Sequence, residues 1–299
     1  MIPALTANGV RPMDWQGKRE SDNVEDRRGG GVGRTAVLGG GIGSIVLAVV
    51  YVLLGGDPQV ALQGIQQQPP PAADAGDAGR AAESESAAER ESRRFASVIL
   101  AQTEDVWHAD FAARGAEYVN PHLVLFRGEV ASACGAAESA MGPFYCSGDQ
   151  RVFLDLSFFD ELSSRFGAPG DFARAYVIAH EVGHHVQNLL GISGKVRQLQ
   201  ERSDERRANA LSVRLELQAD CLAGIWASRS QSTLKLTEDD IGQALTAASA
   251  VGDDRLQKAA RGYVTPDSFT HGSSADRMKW FQRGFQGGQL PTCDTFKRD

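Results

Sequence analysis

The fold of this chain is decided by residues 175–191, which read AYVIAHEVGHHVQNLLG. This stretch contains the pattern H-E-x-x-H as His180, Glu181 and His184. On an α-helix, residues four apart share one face and lie about 6 Å apart along the axis. Two imidazoles placed in this way can bind one zinc ion, and the glutamate can accept a proton from the zinc-bound water. A chance match in a chain with six histidines has a probability on the order of 1%.

Apolar residues cover most sides of this helix, which predicts that the helix is buried. They are Phe172, Tyr176, Val177, Ile178, Val182, Val186 and Leu189. Polar side chains on a buried helix need partners, and a metal ion supplies one for the two histidines. Hydrogen bonds within the core, without any metal, are the alternative.

A catalytic zinc site needs a third protein ligand. The longer pattern H-E-x-x-H-x-x-G-x-x-H is excluded, because Gln187 and Leu190 occupy its last two fixed positions. Glu216 and Asp220 lie four residues apart on a second long, largely apolar helix, where carboxylates are costly unless they are paired. We interpret Glu216 as the third ligand, and Asp220 as the partner of the outer nitrogen of a ligating histidine. An exposed acidic stripe that includes Arg214 is the alternative.

Longer stretches resemble a known family. The pattern H-E-x-x-H, followed on a later helix by E-x-x-x-D, looks like the glutamate-zincins. Residues 142–146 (GPFYC), 152–159 (VFLDLSFF), 175–191 and 216–224 (ELQADCLAG) together resemble the bacterial family called putative neutral zinc metallopeptidases. The resemblance covers the apolar segment 35–54 and nearly all of residues 93–299. It implies a zincin-like fold, zinc as the cofactor and hydrolysis of a peptide or protein substrate, which it does not identify.

The same resemblance raises the question of which residue stabilises the oxyanion. Glutamate-zincins are similar in using a late histidine or tyrosine for this purpose. His271 is the catalytic candidate here, because it lies in a loop between two predicted helices, where catalytic residues are often placed. Tyr263 and Arg277 are rivals for the role, and a solvated histidine without a role is the alternative.

The chain divides into four segments. Residues 1–34 are polar and glycine-rich, which predicts a disordered tail. Residues 35–54 (TAVLGGGIGSIVLAVVYVLL) contain no charge and are long enough for one transmembrane helix; a core helix and a cleaved signal peptide are the alternatives. Residues 55–92 predict a flexible linker. Residues 93–299 predict an α+β domain, mostly helical with a small β-sheet.

Basic residues predict the orientation of the apolar segment. The basic residues that precede it include Lys18, Arg19, Arg27, Arg28 and Arg34. The next is Arg80. Because positive flanks remain in the cytoplasm, we expect a single-pass protein of the bacterial inner membrane with an extracytoplasmic catalytic domain. The sequence does not indicate an oligomeric state.

The cysteines and the net charge indicate which disulfides the chain can form and which partners it can bind. None of the four cysteines forms a C-x-x-C pair, and outside the cytoplasm an even number favours disulfides. We predict the pairs Cys134–Cys146 and Cys221–Cys293, one local and one that ties the C-terminal tail to the second metal helix. A net charge of −7 provides no basic surface for nucleic acid.

Two other functions compete with a peptidase. A deformylase-like amide hydrolase also uses H-E-x-x-H, with a cysteine as third ligand, and Cys146 is the candidate for it. A zinc-binding but inactive scaffold at the membrane is the other alternative, although such a scaffold does not need Glu181 as a base.

Overall fold

Eight α-helices and six short strands are formed by residues 13–28, 85–138 and 142–297, which a computed structural model of the chain describes. The strands are β1 (Val24–Asp26), β2 (His122–Phe126), β3 (Glu129–Ser132), β4 (Gly135–Glu138), β5 (Phe144–Cys146) and β6 (Arg151–Asp155). The helices are α1 (Ala87–Ala112), α2 (Phe158–Ser164), α3 (Asp171–Leu189), α4 (Ile192–Gln200), α5 (Glu205–Leu234), α6 (Glu238–Ala250), α7 (Asp253–Arg261) and α8 (Ser274–Gly287). This part of the chain is therefore α+β and mostly helical, as predicted.

The larger sheet has four strands in the order β1-β2-β6-β5. Strands β1 and β6 run parallel to β2, whereas β5 runs antiparallel to β6. Val124 of β2 pairs with Glu25 on one side and with Phe153 on the other, and Phe153 pairs in turn with Phe144. Strand β5 thus forms one edge of this sheet. Strands β3 and β4 form a separate antiparallel hairpin.

The central strands β2 and β6 are buried on both faces, which explains their nearly continuous apolar sequences. On one face, Leu123 and Leu125 pack into the main core with the helices. On the other face, Val124 and Phe153 form a smaller cluster with Val130 of the β3–β4 hairpin.

Glycines allow the helices α3, α5 and α8 to pack closely. A Cβ atom at Gly183 of α3 would come within 3.0 Å of the carbonyl oxygen of Ala219 on α5. Helices α5 and α8 also approach closely, since a Cβ atom at Gly224 or Gly284 would overlap a backbone carbonyl oxygen of the other helix. These contacts bring side chains on α3, α5 and α8 to one place.

Two disulfides are present, Cys134–Cys146 and Cys221–Cys293. Both predicted pairs are therefore confirmed. The first joins the end of β5 to the turn of the β3–β4 hairpin. The second joins α5 to the C-terminal 3-10 turn at Leu290–Cys293.

The long helices agree with the sequence analysis. The helix that carries His180 and His184 is α3, and the second long apolar helix is α5. Thr237 and Ser273 cap α6 and α8, each by accepting a backbone hydrogen bond. The short helices α4 and α7 were not predicted, because each has a single buried residue, Val196 and Asp253 respectively, and therefore shows no apolar period.

The predicted boundary of the linker at residue 92 is wrong at its C-terminal end. Helix α1 begins at Ala87, and a capping box between Ser86 and Glu89 starts it. The low hydrophobicity of this segment suggested disorder, but the cap and the following buried turns make it helical. The remaining linker residues 55–84 lie outside the described residues.

The prediction of a disordered tail is wrong for residues 13–28, which are part of the fold. Trp15 is 5% exposed and packs edge-on against Phe95 of α1, with 5.2 Å between ring centroids. Strand β1 adds to the edge of β2, where Leu123 N–H donates to the carbonyl of Asn23 at 2.8 Å. A polar segment becomes ordered here because β2 supplies backbone partners and the core supplies a slot for Trp15.

This packing places part of the predicted cytoplasmic tail in contact with the helical domain. Two arginines of the supposed cytoplasmic flank contact the domain: Arg19 pairs with Glu104 at 3.0 Å, and Arg28 pairs with Glu85 at 2.6 Å. Residues 13–28 and the described residues from Glu85 onward belong to one compact unit. The apolar residues 35–54 lie outside the described residues, and the helices that are described include none with the length and hydropathy needed to cross a bilayer.

Candidate metal centre

Two helices bring three candidate metal ligands together. His180 and His184 lie on one face of α3, and Glu216 lies opposite them on α5. One ligand atom from each residue lies within 4.8 Å of the others, in a partly buried position. Gly183, between the two histidines, makes this possible because it lets α5 approach.

The distances between these atoms fit a tetrahedral ion. His180 Nε2 is 3.2 Å from Glu216 Oε2, and His184 Nε2 is 3.4 Å from Glu216 Oε1. Zinc bonds to nitrogen and oxygen of about 2.0–2.1 Å give tetrahedral edges of roughly 3.3 Å. The donor set of two imidazoles and one carboxylate is also one that zinc prefers. The three residues therefore fit a zinc ion.

Asp220 orients His180. Its carboxylate Oδ1 lies 2.9 Å from His180 Nδ1, so an Nδ1–H donates to it and Nε2 remains free for a metal. Burial opposes ionisation of the fully buried Asp220, but Arg277 and His180 keep its pKa below the ordinary value. Burial lowers the pKa of His180, but the nearby carboxylates of Asp220 and Glu216 outweigh this effect and raise the pKa to about 10.

Gln187 orients His184 in a similar way, which the sequence analysis did not predict. His184 Nδ1 lies 2.9 Å from Gln187 Oε1, and Gln187 Nε2 donates to the carbonyl of Leu215 at 2.7 Å. The second contact fixes the amide, so that its oxygen faces the imidazole. The available signal was a fully buried glutamine three residues after a histidine on the same apolar helix.

Glu181 lies beside the three ligands and lines the same cavity, whose volume is about 790 Å³. It is 9% exposed, and burial raises its pKa above the ordinary value even though His180 and His184 oppose the shift. A carboxylate in this position can hold a proton next to the metal without being one of the three clustered ligands.

His271 and Arg277 also line the cavity, whereas Tyr263 is 62% exposed and does not. His271 is half-exposed, and its Nδ1 lies 3.3 Å from Asp253 Oδ1. The hydrogen bond to Asp253 raises the pKa of His271. The Arg277 guanidinium is already bonded to Asp220, which leaves His271 as the accessible candidate for a substrate oxygen.

Comparison with known protein families also indicates a zinc metallopeptidase. The family described as "putative neutral zinc metallopeptidase" matches residues 13–296. The chain belongs to this family. The match begins at Met13, so it includes the segment that carries β1.

Proteins similar to this chain are found in several bacteria. The uncharacterized protein YpfJ of Escherichia coli strain K12 is 49% identical over 291 residues, which cover 95% of this chain and 99% of that protein. The uncharacterized protein Rv2575 of Mycobacterium tuberculosis strain H37Rv is 47% identical over 191 residues, which cover 60% of this chain and 63% of that protein. No solved structure shows significant similarity to the chain.

The metallopeptidase family implies zinc, and the described donor set agrees with that. The deformylase-like alternative does not agree, because Cys146 is in a disulfide and cannot serve as a thiolate ligand.

Zinc content provides a first prediction. The purified chain should bind about one zinc ion per molecule, and Glu216→Ala should lose it because two imidazoles alone hold zinc weakly. Elemental analysis after dialysis measures the ratio. Glu205→Ala, on an exposed turn of the same helix, should retain zinc. Normal zinc content in Glu216→Ala would show that another residue is the third ligand.

Proposed function

We propose that the chain is a zinc-dependent peptidase that uses Glu181 as its general base. The observation that carries the proposal is the convergence of His180, His184 and Glu216, whose ligand atoms lie within 4.8 Å of one another, next to the buried carboxylate of Glu181. This set lies in an open cavity large enough for several residues of a peptide.

The residues divide the chemistry among themselves. His180, His184 and Glu216 would hold a zinc ion, which when bound would supply a water of lowered pKa and a Lewis acid for the scissile carbonyl. Glu181 accepts the proton of the attacking water on its carboxylate and passes it to the leaving amine. His271, which Asp253 keeps more basic than an ordinary histidine, donates a hydrogen bond to the developing oxyanion.

Strand β5 is the proposed binding edge for the substrate. It is the edge strand of the sheet, and Phe144 and Tyr145 line the cavity. An extended peptide that adds antiparallel to β5 would place its C-terminal part beside Gly142, near the rings of Phe158 and Phe166. We therefore expect a preference for apolar residues after the scissile bond.

Digestion of a diverse peptide library by the zinc-loaded full chain tests this function. We expect endoproteolytic products with apolar residues at their new N-termini, and none from zinc-free His184→Ala. Stoichiometric zinc without cleavage of any peptide would favour the inactive scaffold. Cleavage without the apolar preference would reject only the proposed orientation on β5.

We further propose that residues 13–28 and the metal centre lie in one oxidising compartment, on the same side of the membrane. The support is that both belong to one folded unit, which contains two disulfides. This revises the expected topology, in which the tail and the domain lay on opposite sides.

Cross-linking in intact cells tests the shared compartment. Glu20 and Arg94 form a partly exposed ion pair at 3.1 Å, so cysteines at both positions should react with a short bismaleimide. A protease site inserted within residues 55–84 then shows whether the two fragments remain joined after cleavage. Glu20→Cys with Arg114→Cys, at the far end of α1, is the matched control. Separate fragments from the first pair, with both thiols reactive, would reject the proposal.

A further inference from the structure

Arg277 is a buried arginine beside the candidate metal ligands. The proposed mechanism assigns it no step. It lies in the second turn of α8 and is 3% exposed. Its guanidinium binds Asp220 with two hydrogen bonds, from Nε to Oδ2 at 2.8 Å and from NH2 to Oδ1 at 2.9 Å. This fork geometry holds a carboxylate in one plane.

The carboxylate of Asp220 is bonded to side chains of α3 and α8. Besides Arg277, His180 Nδ1 and the hydroxyl of Tyr176 donate to its Oδ1. Asp220 has no exposed surface, so these contacts replace water completely. A buried carboxylate without such compensation is strongly unfavourable.

We propose that Arg277 is a positioning residue for the metal centre. It fixes the plane and the charge of the Asp220 carboxylate, which in turn holds the Nδ1–H of His180, so that Nε2 faces the metal. The inference rests on the proposed zinc site. It assigns Arg277 a different role from oxyanion stabilisation, because its Nε and NH2 groups already donate to Asp220.

Two further contacts hold α8 and the segment after it close to Asp220. Gly284 of α8 lies directly against the backbone of Cys221, the neighbour of Asp220, which brings α8 next to α5. The disulfide of Cys221 with Cys293 then ties the segment after α8 to the same turn of α5. Both contacts lie beside Asp220 and keep Arg277 within reach of it.

The test measures zinc affinity rather than activity. Arg277→Met keeps an unbranched apolar stem but removes the guanidinium fork, and we expect zinc affinity to fall about 10- to 100-fold. Arg277→Lys keeps the charge without the fork and should fall between this variant and the parent chain. Arg283→Met, an exposed arginine on the same helix, should leave the affinity unchanged.

A comparison in the Asp220→Asn variant shows whether Arg277 acts through Asp220. If Arg277 acts through Asp220, then Arg277→Met should change zinc affinity much less in Asp220→Asn than in the parent chain. The absorption spectrum of the cobalt-substituted protein should shift in both single variants, because the orientation of His180 changes. Full additivity, or lower thermal stability with unchanged zinc affinity and cobalt spectrum, would overturn the proposal. If Arg277→Met does not fold, Arg277→Lys supplies the same comparison. Zinc retained by His180→Ala would instead reject the metal site itself.

Discussion

Glu181→Gln should abolish peptide hydrolysis while zinc remains bound. Glutamine has nearly the same shape but cannot accept the proton of the attacking water. Loss of a general base of this kind lowers the rate by about 10²- to 10⁴-fold. Glu181 lies beside the cluster of His180, His184 and Glu216 and is not a member of it, so the substitution should leave zinc content unchanged. Activity on a peptide from the library digestion and elemental analysis measure the two quantities.

Glu161→Gln is the matched control for this prediction. Glu161 also lines the cavity, but it pairs with Arg165 on the same helix instead of facing the ligands. We expect it to retain activity within a few-fold. An active Glu181→Gln would refute the assignment of the base. Loss of zinc in Glu181→Gln would mean that Glu181 has a structural role at the metal.

The spacing of residues within one helix was enough to predict most of the site. The four-residue spacing places His180 with His184 and Glu216 with Asp220 on single helical faces, whatever the rest of the fold does. What the spacing could not give is the distance between the two helices, which Gly183 controls through its contact with Ala219. The role of Gln187 depends on that same contact, because its amide is fixed by a carbonyl of the second helix.

The parts of the fold that escaped prediction depend on contacts distant in sequence. Strand β1 has three residues and forms only because β2, nearly one hundred residues later, offers an edge. Strand β5 also has three residues, and Gly142 and Pro143 directly precede it. A period of two cannot be recognised over so few positions, whereas the long helices show several turns of a clear pattern.

Residues 13–28 also satisfy a buried charge in the domain. Glu104 of α1 is 2% exposed, and the side chains of Arg19, Ser21 and Asn23 all bond to its carboxylate. A chain that begins at Glu85 would leave this carboxylate without them, at a cost in stability. Experiments on the metal centre should therefore use the full chain.

Trp15→Ala should destabilise the protein strongly, although Trp15 lies seventy residues before the rest of the folded unit. Its ring fills a slot against Phe95, and its Nε1–H donates to Asp171 at the start of the metal-binding helix α3 at 3.0 Å. Replacing a buried tryptophan by alanine typically costs about 3–5 kcal/mol of the free energy of unfolding. Denaturant unfolding at a fixed zinc concentration measures the loss. Gln16→Ala, at the exposed neighbouring position, should cost less than about 0.5 kcal/mol. Equal stability of the two variants would show that the Trp15 side chain does not anchor residues 13–28 to the domain, and would remove one support for a shared compartment.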